Sequence, residues 1–206
     1  MYTNNNAFYI YQPEPAIPPT PVVQYSMNFD GVNEYVTAVN NAAYDFSNVQ
    51  PFTISTWFTS STYAGNKPLL SKRVNNAAGW LVTFIGSVIH FQLINTVTTN
   101  QIWVSVTPGL AINTWYNITI TYSGSSFASG VKIYINGVLQ VNTVVINNLL
   151  NTSASGAVIT IGRNAASGSS YFIGNISTTR MWDVELTGAN VVQEYNGGTM
   201  QETAVL

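Results

Sequence analysis

Phe52-Thr-Ile-Ser-Thr-Trp-Phe-Thr-Ser60 alternates apolar and small polar side chains, and Trp115-Tyr-Asn-Ile-Thr-Ile-Thr-Tyr122 repeats the pattern. A period of two predicts strands, because successive side chains leave a strand on opposite faces. Val131-Lys-Ile-Tyr-Ile135 and Val138-Leu-Gln-Val141 flank Asn136-Gly137. That dipeptide predicts a type I′ hairpin, whose two central residues both need φ > 0. Gly86-Ser87, between Trp80–Ile85 and Val88–Ile94, predicts a type II′ hairpin. Further strands are predicted at 22–29, 34–39, 68–72, 102–106, 158–162 and 172–182. About a dozen strands separated by Gly, Ser and Asn loops point to an all-β sandwich or barrel. Thr187 is expected to cap one short helix, Gly188–Tyr195, with Gly197 closing it. No internal repeat of fixed period is visible.

Composition narrows the partners. Charged residues are 7% of the 206, where about 25% is ordinary for a soluble domain. Polarity comes from 24 Asn, 23 Thr, 18 Ser and 8 Gln. The net charge is −2, and the six basic residues stand singly apart from Lys72-Arg73. Phosphate contacts need a basic footprint, so no nucleic-acid partner is expected, nor an anionic membrane surface. With no cysteine, disulfides and thiolate chemistry are excluded, and one histidine excludes a multi-histidine metal site. No apolar run reaches the ~18 residues of a spanning helix, so membrane insertion is not expected. Met1 is not followed by a basic and then an apolar region, so no signal peptide is expected.

The chain divides into residues 1–21 and 22–206. Five of the eight prolines fall in Pro13-Glu-Pro-Ala-Ile-Pro-Pro-Thr-Pro21. Each fixes its own φ and restrains its predecessor, so an extended N-terminal arm is expected. Phe8-Tyr-Ile-Tyr11 precedes it. Aromatic rings supply contact area at low entropic cost, so Phe8, Tyr9 and Tyr11 are the expected anchors on another protein subunit.

The order of motifs resembles that of laminin-G-like domains in the concanavalin-A-like lectin-glucanase superfamily. Met27-Asn-Phe-Asp-Gly-Val-Asn-Glu-Tyr-Val36 is similar to their opening strand pair, and Phe52–Trp57 to their next strand. Leu69–Lys72, Gly79–Leu81 and Trp115–Tyr122 follow in the family's order. Lys132-Ile-Tyr-Ile-Asn-Gly-Val-Leu139 resembles its most recognisable hairpin, and Ile161-Gly162, Phe172–Ile176, Thr179–Trp182 and Leu186-Thr187 close the pattern. The resemblance covers about residues 25–196 and implies a jelly roll of two antiparallel sheets. It includes sugar-binding, adhesion and viral structural proteins, so fold alone does not settle function.

Glucanases on this fold carry Glu-x-Asp-x-x-Glu on one strand, and that motif is absent here. The nearest acidic pair, Asp183 and Glu185, is expected to favour the N-terminal dipole of the short helix. No catalytic residue is therefore expected. His90 lies in Ser87-Val-Ile-His-Phe-Gln92 without nucleophile-elbow glycines, and is read as a strand histidine satisfied by a neighbour. The resemblance implies, in many members, one structural Ca²⁺ between the first strand pair and the last strand. Asp30 matches the early position, but Thr178-Thr179 stands where the family commonly has an acidic pair. One carboxylate gives weak affinity, so no cofactor is expected, with a weak calcium site as the alternative, and Asp30 is read as a turn residue before Gly31.

Sugar sites combine aromatic platforms with amide and hydroxyl partners. Loop residues of both kinds are Tyr63, Asn75, Asn76, Trp80, Phe127, Asn164 and Tyr171, of which Tyr63, Asn75, Trp80, Asn164 and Tyr171 are the carbohydrate-contact candidates. Trp57, Trp115 and Trp182 lie in strand motifs and are assigned to the core. The sequons Asn117-Ile-Thr119 and Asn175-Ile-Ser177 are expected by chance in so Asn- and Thr-rich a chain. Together these readings point to a bacteriophage virion surface protein, decoration or tail-associated, with a lectin-like domain for host glycans. Such a protein needs no export signal and is released by lysis. A secreted carbohydrate-binding module is the alternative.

Overall fold

The period-two segments become strands of two facing sheets, and their apolar halves meet between them. The computed structural model describes residues 25–73, 78–168 and 170–199. The arm and its anchors Phe8, Tyr9 and Tyr11 lie outside these residues, as do Asn75 and Asn76. Within them the strands are β1 Met27–Asp30, β2 Val36–Ala38, β3 Phe52–Ser60, β4 Asn66–Arg73, β5 Gly79–Ile85, β6 Val88–Thr96 and β7 Asn100–Val106. They continue as β8 Tyr116–Tyr122, β9 Val131–Ile135, β10 Val138–Leu139, β11 Thr143–Asn147, β12 Ile159–Ile161 and β13 Ile173–Trp182. One sheet has the order β1-β13-β3-β8-β9-β10 and the other β11-β7-β6-β5-β4-β12-β2, with every pairing antiparallel. This is the expected concanavalin-A-like jelly-roll sandwich.

Alternation assigns the faces. Phe52, Ile54 and Phe58 of β3, Ile118, Ile120 and Tyr122 of β8, and Val131, Ile133 and Ile135 of β9 point inward. Trp80, Val82 and Phe84 of β5, Ile89, Phe91 and Leu93 of β6, and Ile102 and Val104 of β7 meet them from the other sheet. Each fully buried side chain of this size contributes about 1.5–3 kcal/mol. The stacked pair Phe46–Phe52, 4.2 Å between ring centroids, closes one part of this core.

The turns follow their chemistry. Asn136 and Gly137 adopt φ of 51° and 75°, as a type I′ turn requires. Gly86 has φ of 61° ahead of Ser87, in keeping with the expected type II′ turn. The helix α1, Gly188–Tyr195, is capped by the Thr187 hydroxyl, which accepts from Asn190 N–H. At its other end Asn196, not Gly197, is the left-handed C-cap residue, since Asn tolerates that conformation through its short polar side chain. The predicted strand 138–141 ends at Leu139, and Thr143–Asn147 forms a separate strand at the far edge of the other sheet.

α1 covers the outward face of β3, β8 and β9. Tyr134, Leu186 and Val191 form a second apolar cluster with Trp182 packed against it. Trp57 stacks on Tyr195 at 5.6 Å, so it is buried beneath the helix rather than between the sheets. Trp115 precedes β8 and is half-buried, which corrects its assignment to the core: the strand begins one residue later, at Tyr116. The polar outward positions are satisfied locally. The Thr53 hydroxyl donates to Val184 O and accepts from Leu186 N–H, at 2.8 and 2.9 Å, pinning the corner that leads into α1.

Candidate functional site

The register brings the end of β1, the start of β2, the end of β12 and the start of β13 to one end of the sandwich. Two features are built there. The first is a polar groove of about 290 Å³, lined by Asn28, Asp30, Thr59, Ser61, Asn113 and Asn175 with backbone from Gly174. Asn28 pairs with Asn175, and Asn175 pairs with Thr59, so three outward side chains stand abreast on adjacent strands. The Asn28 amide donates to Asn175 Oδ1 at 3.2 Å, and the Asn175 amide donates to Ser26 Oγ at 3.2 Å. The floor is bare backbone for a steric reason. Gly174 has φ of +130°, and a Cβ there would lie 2.1 Å from Thr59 O.

The second feature is a cation set against two adjoining aromatic rings, whose centroids lie 6.4 Å apart. Val36 pairs with Ile161, which puts Tyr35 beside the Gly162-Arg163 turn, and Arg163 bridges to Tyr171. The guanidinium carbon lies 4.6 Å from the Tyr35 ring centroid and 5.7 Å from that of Tyr171. Gly162, at φ +81°, permits this turn because a Cβ there would meet the Phe29 ring at 2.7 Å. The Arg163 carbonyl is fixed from beneath by the Ser71 and Thr160 hydroxyls, at 3.0 and 2.9 Å.

Of the sequence candidates, Tyr171 stands in this cluster, half-buried, with its hydroxyl donating to Gly168 O at 3.4 Å. Asn164 adjoins it in sequence, but its side chain is buried and caps its own loop, accepting from Ala166 N–H at 3.1 Å. Trp80 is a correction. It is wholly buried between the sheets, because position 80 falls on the inward face of β5. Tyr63 is a second correction: its ring packs on Phe84 at 4.9 Å and its hydroxyl donates to Ala111 O. Phe127 is exposed, but it follows β8, whose Tyr122 pairs with Phe52 at the start of β3. Tyr171 precedes β13, whose Gly174 pairs with Ser60 at the other end of β3, so the two rings are not brought together. The sequence reading missed Tyr35, Arg163, Asn28 and Asn175. Only strand register could have gathered them.

The remaining chemistry is structural. Trp103 Nε1–H donates to His90 Nδ1 at 2.8 Å, and burial holds the His90 pKa below its ordinary value. Glu185 accepts from Lys132 at 2.7 Å, and no acidic residue lies in the first turn of α1. The expected dipole role of Asp183 and Glu185 is thereby corrected: the Thr187 hydroxyl serves that end instead. Asn117, the first sequon, is buried with its amide donating to Ser55 Oγ.

The calcium implied by the resemblance does not fit these residues. Asp30 Oδ1 accepts from Val32 N–H at 2.8 Å, the turn role anticipated for it. Asp30 pairs with Ile173, whereas Thr178-Thr179 lies five or more residues further along β13, roughly 17 Å away. Among the described residues no group of three His, Cys, Asp or Glu could hold a metal ion. Melting curves recorded with EDTA and with added calcium are expected to overlay; a calcium-dependent rise of many degrees would contradict this.

These features define the class: a two-sheet jelly roll with a polar, aromatic-rimmed surface at one end. A family model described as the concanavalin A-like lectin/glucanases superfamily, of laminin-G type, matches residues 30–192, and the chain belongs to that family. Comparison with curated proteins gives no match. Among solved structures, the binding domain of botulinum neurotoxin serotype G is 20% identical with a TM-score of 0.59, covering 85% of this chain and 47% of that one. The heptameric SAP-like pentraxin from Limulus polyphemus is 13% identical with a TM-score of 0.58, covering 82% of this chain and 81% of that one. Mouse laminin alpha1 domains LG4-5 are 13% identical with a TM-score of 0.55, covering 78% of this chain and 41% of that one. The chain thus spans about half of the neurotoxin domain it matches. At these identities the likeness concerns the fold.

Proposed function

We propose that this chain is a non-enzymatic adhesion domain that binds glycans at the Asn28–Asn175 end of its sandwich and is carried on a virion surface. The observation that carries the glycan reading is the groove itself. Carbohydrate hydroxyls need paired donors and acceptors, and Asn28, Thr59, Ser61, Asn113 and Asn175 offer them in one concave surface. Family membership supports a lectin-like role, and the neurotoxin neighbour is itself named a binding domain. The uncharged, Asn- and Thr-rich composition suits a particle surface exposed to solvent. A secreted carbohydrate-binding module is the second reading, favoured by membership of a lectin/glucanase superfamily. Glycan-array screening of the full chain tests the binding reading. Substituting Asn175 by alanine should abolish any specific signal, and retention of that signal would refute the groove.

Residues 1–21 are the proposed attachment device, with Phe8, Tyr9 and Tyr11 as anchors. A chain already stiffened by proline loses less entropy on docking, so a modest buried area can hold it. Deleting residues 1–21 is expected to shift the melting temperature little and to abolish incorporation into the particle. A truncated protein that still assembles, measured by co-sedimentation with particles, would remove the arm from the account.

A further inference from the structure

Among the described residues, the Arg163 guanidinium has no carboxylate partner. Lys72, Lys132 and Arg180 each pair with a carboxylate, at 2.9, 2.7 and 2.7 Å. Among the described residues no carboxylate lies within ion-pair distance of Arg163, and no acceptor receives a hydrogen bond from its guanidinium. Its Nε is buried with no hydrogen-bond partner. A guanidinium has five N–H donors, and a buried donor left unpaired costs as much as a lost hydrogen bond. Ring stacking accounts for the position of the group, because a cation over a tyrosine face is attracted by the ring quadrupole. This attraction consumes no N–H donor, so the hydrogen-bonding capacity of the group stays unspent. The carbonyl of Arg163 is locked by two hydroxyls, so the side chain springs from a fixed base. Tyr35 is 43% exposed, so this cluster opens to solvent rather than closing over itself.

We infer that Arg163, held against the adjoining rings of Tyr35 and Tyr171, is the anion-binding centre of the glycan surface and selects sugars bearing a carboxylate. The inference rests on the adhesion reading above and names its ligand class. A planar fork matches a carboxylate bidentately, which fixes orientation as well as adding energy. A single cation balances a monoanion and not a phosphate dianion. The exposed ring of Tyr35 supplies apolar surface for the sugar ring beside it. Uronic acids and sialic acids both present this chemistry.

The test is calorimetric titration of the full chain with tetragalacturonate, its methyl ester, sialyllactose and lactose. The expected result is that at least one acid binds at least about tenfold tighter than its neutral counterpart, and that Arg163→Gln erases this difference. Arg163→Lys keeps the charge but loses the fork, and should retain only part of the preference. Raising salt from about 0.05 to about 0.5 M should weaken the acid and leave the neutral sugar alone. Which acid binds distinguishes the two sources. If Arg163→Gln fails to fold, Tyr35→Ala removes an exposed ring instead and should weaken the acid selectively. Equal binding of acid and neutral partner, unchanged in the variants, overturns the inference while the adhesion reading stands. Binding of none of the four, together with an empty glycan array, overturns both.

Discussion

Replacing Trp80 by alanine is expected to cost about 3–5 kcal/mol of stability, the usual range for deleting a large ring from a core. For a chain of this length that corresponds to roughly 6–20 °C in melting temperature. The indole is fully buried beside Val82, Phe84 and Leu93, and a packed interior closes only partly around a void of that size. Its Nε1–H has no acceptor among the described residues. Trp80→Phe therefore sheds an unpaired donor along with part of the ring, and should recover most of the loss. Thermal unfolding of the two variants, followed by circular dichroism, measures both. A Trp80→Ala protein that melts like the parent but loses glycan binding would return Trp80 to the surface and contradict the packing described above.

Asp45→Ala is expected to destabilise by about 3 kcal/mol, and Lys72→Met by much less. The asymmetry follows from burial. Lys72 is fully buried on β4, with its ammonium 2.9 Å from Asp45 Oδ1. Removing Asp45 leaves that charge uncompensated in the interior. It also frees the backbone N–H groups of Ser155 and Gly156, which Asp45 binds at 2.7 and 3.0 Å. Removing Lys72 leaves Asp45 still hydrogen-bonded and 22% exposed to water. Burial pushes the Asp45 pKa up, but the bonds from Ser155, Lys72 and Gly156 outweigh it and hold the carboxyl below its ordinary value. A depressed carboxylate binds fewer protons folded than unfolded, so its contribution is present above the unfolded pKa, about 3.9, and is lost as pH falls further. Glu194 has the opposite sign: burial holds its pKa up against the Arg180 hydrogen bond, so its contribution is present below the unfolded pKa, about 4.3, and is lost as pH rises above it toward the raised folded value. The difference in acid limbs between the parent and Asp45→Ala isolates Asp45. Denaturant midpoints below about pH 4 should converge for the two proteins; parallel limbs would show that Asp45 carries no linkage.

The sandwich was legible because one signal, period two, acts locally and repeats in β3, β8 and β9. Turn chemistry at Asn136-Gly137 and the Thr187 cap were legible for the same reason, since each needs only its immediate neighbours. The site was not. Asn28 and Asn175 are 147 residues apart and meet only through β1–β13 register. Tyr35 meets Arg163 only through β2–β12 register. Trp80 was misplaced because a strand position does not announce its face when both neighbours, Gly79 and Leu81, are also buried. Trp57 and Trp182 are apolar on an outward face because α1 covers that face, and nothing in β3 foretells a helix more than a hundred residues later.

The adhesion account stands or falls on where a sugar touches the protein. The direct measurement is a titration of isotopically labelled full-length chain with tetragalacturonate and sialyllactose, followed by amide and side-chain NMR shifts. The account predicts saturable shifts at Asn28, Asn113 and Asn175 in the groove and at Tyr35, Arg163 and Tyr171 beside it, with Phe127 and His90 unmoved. Shifts confined to the opposite end of the sandwich, around Phe127, would contradict it.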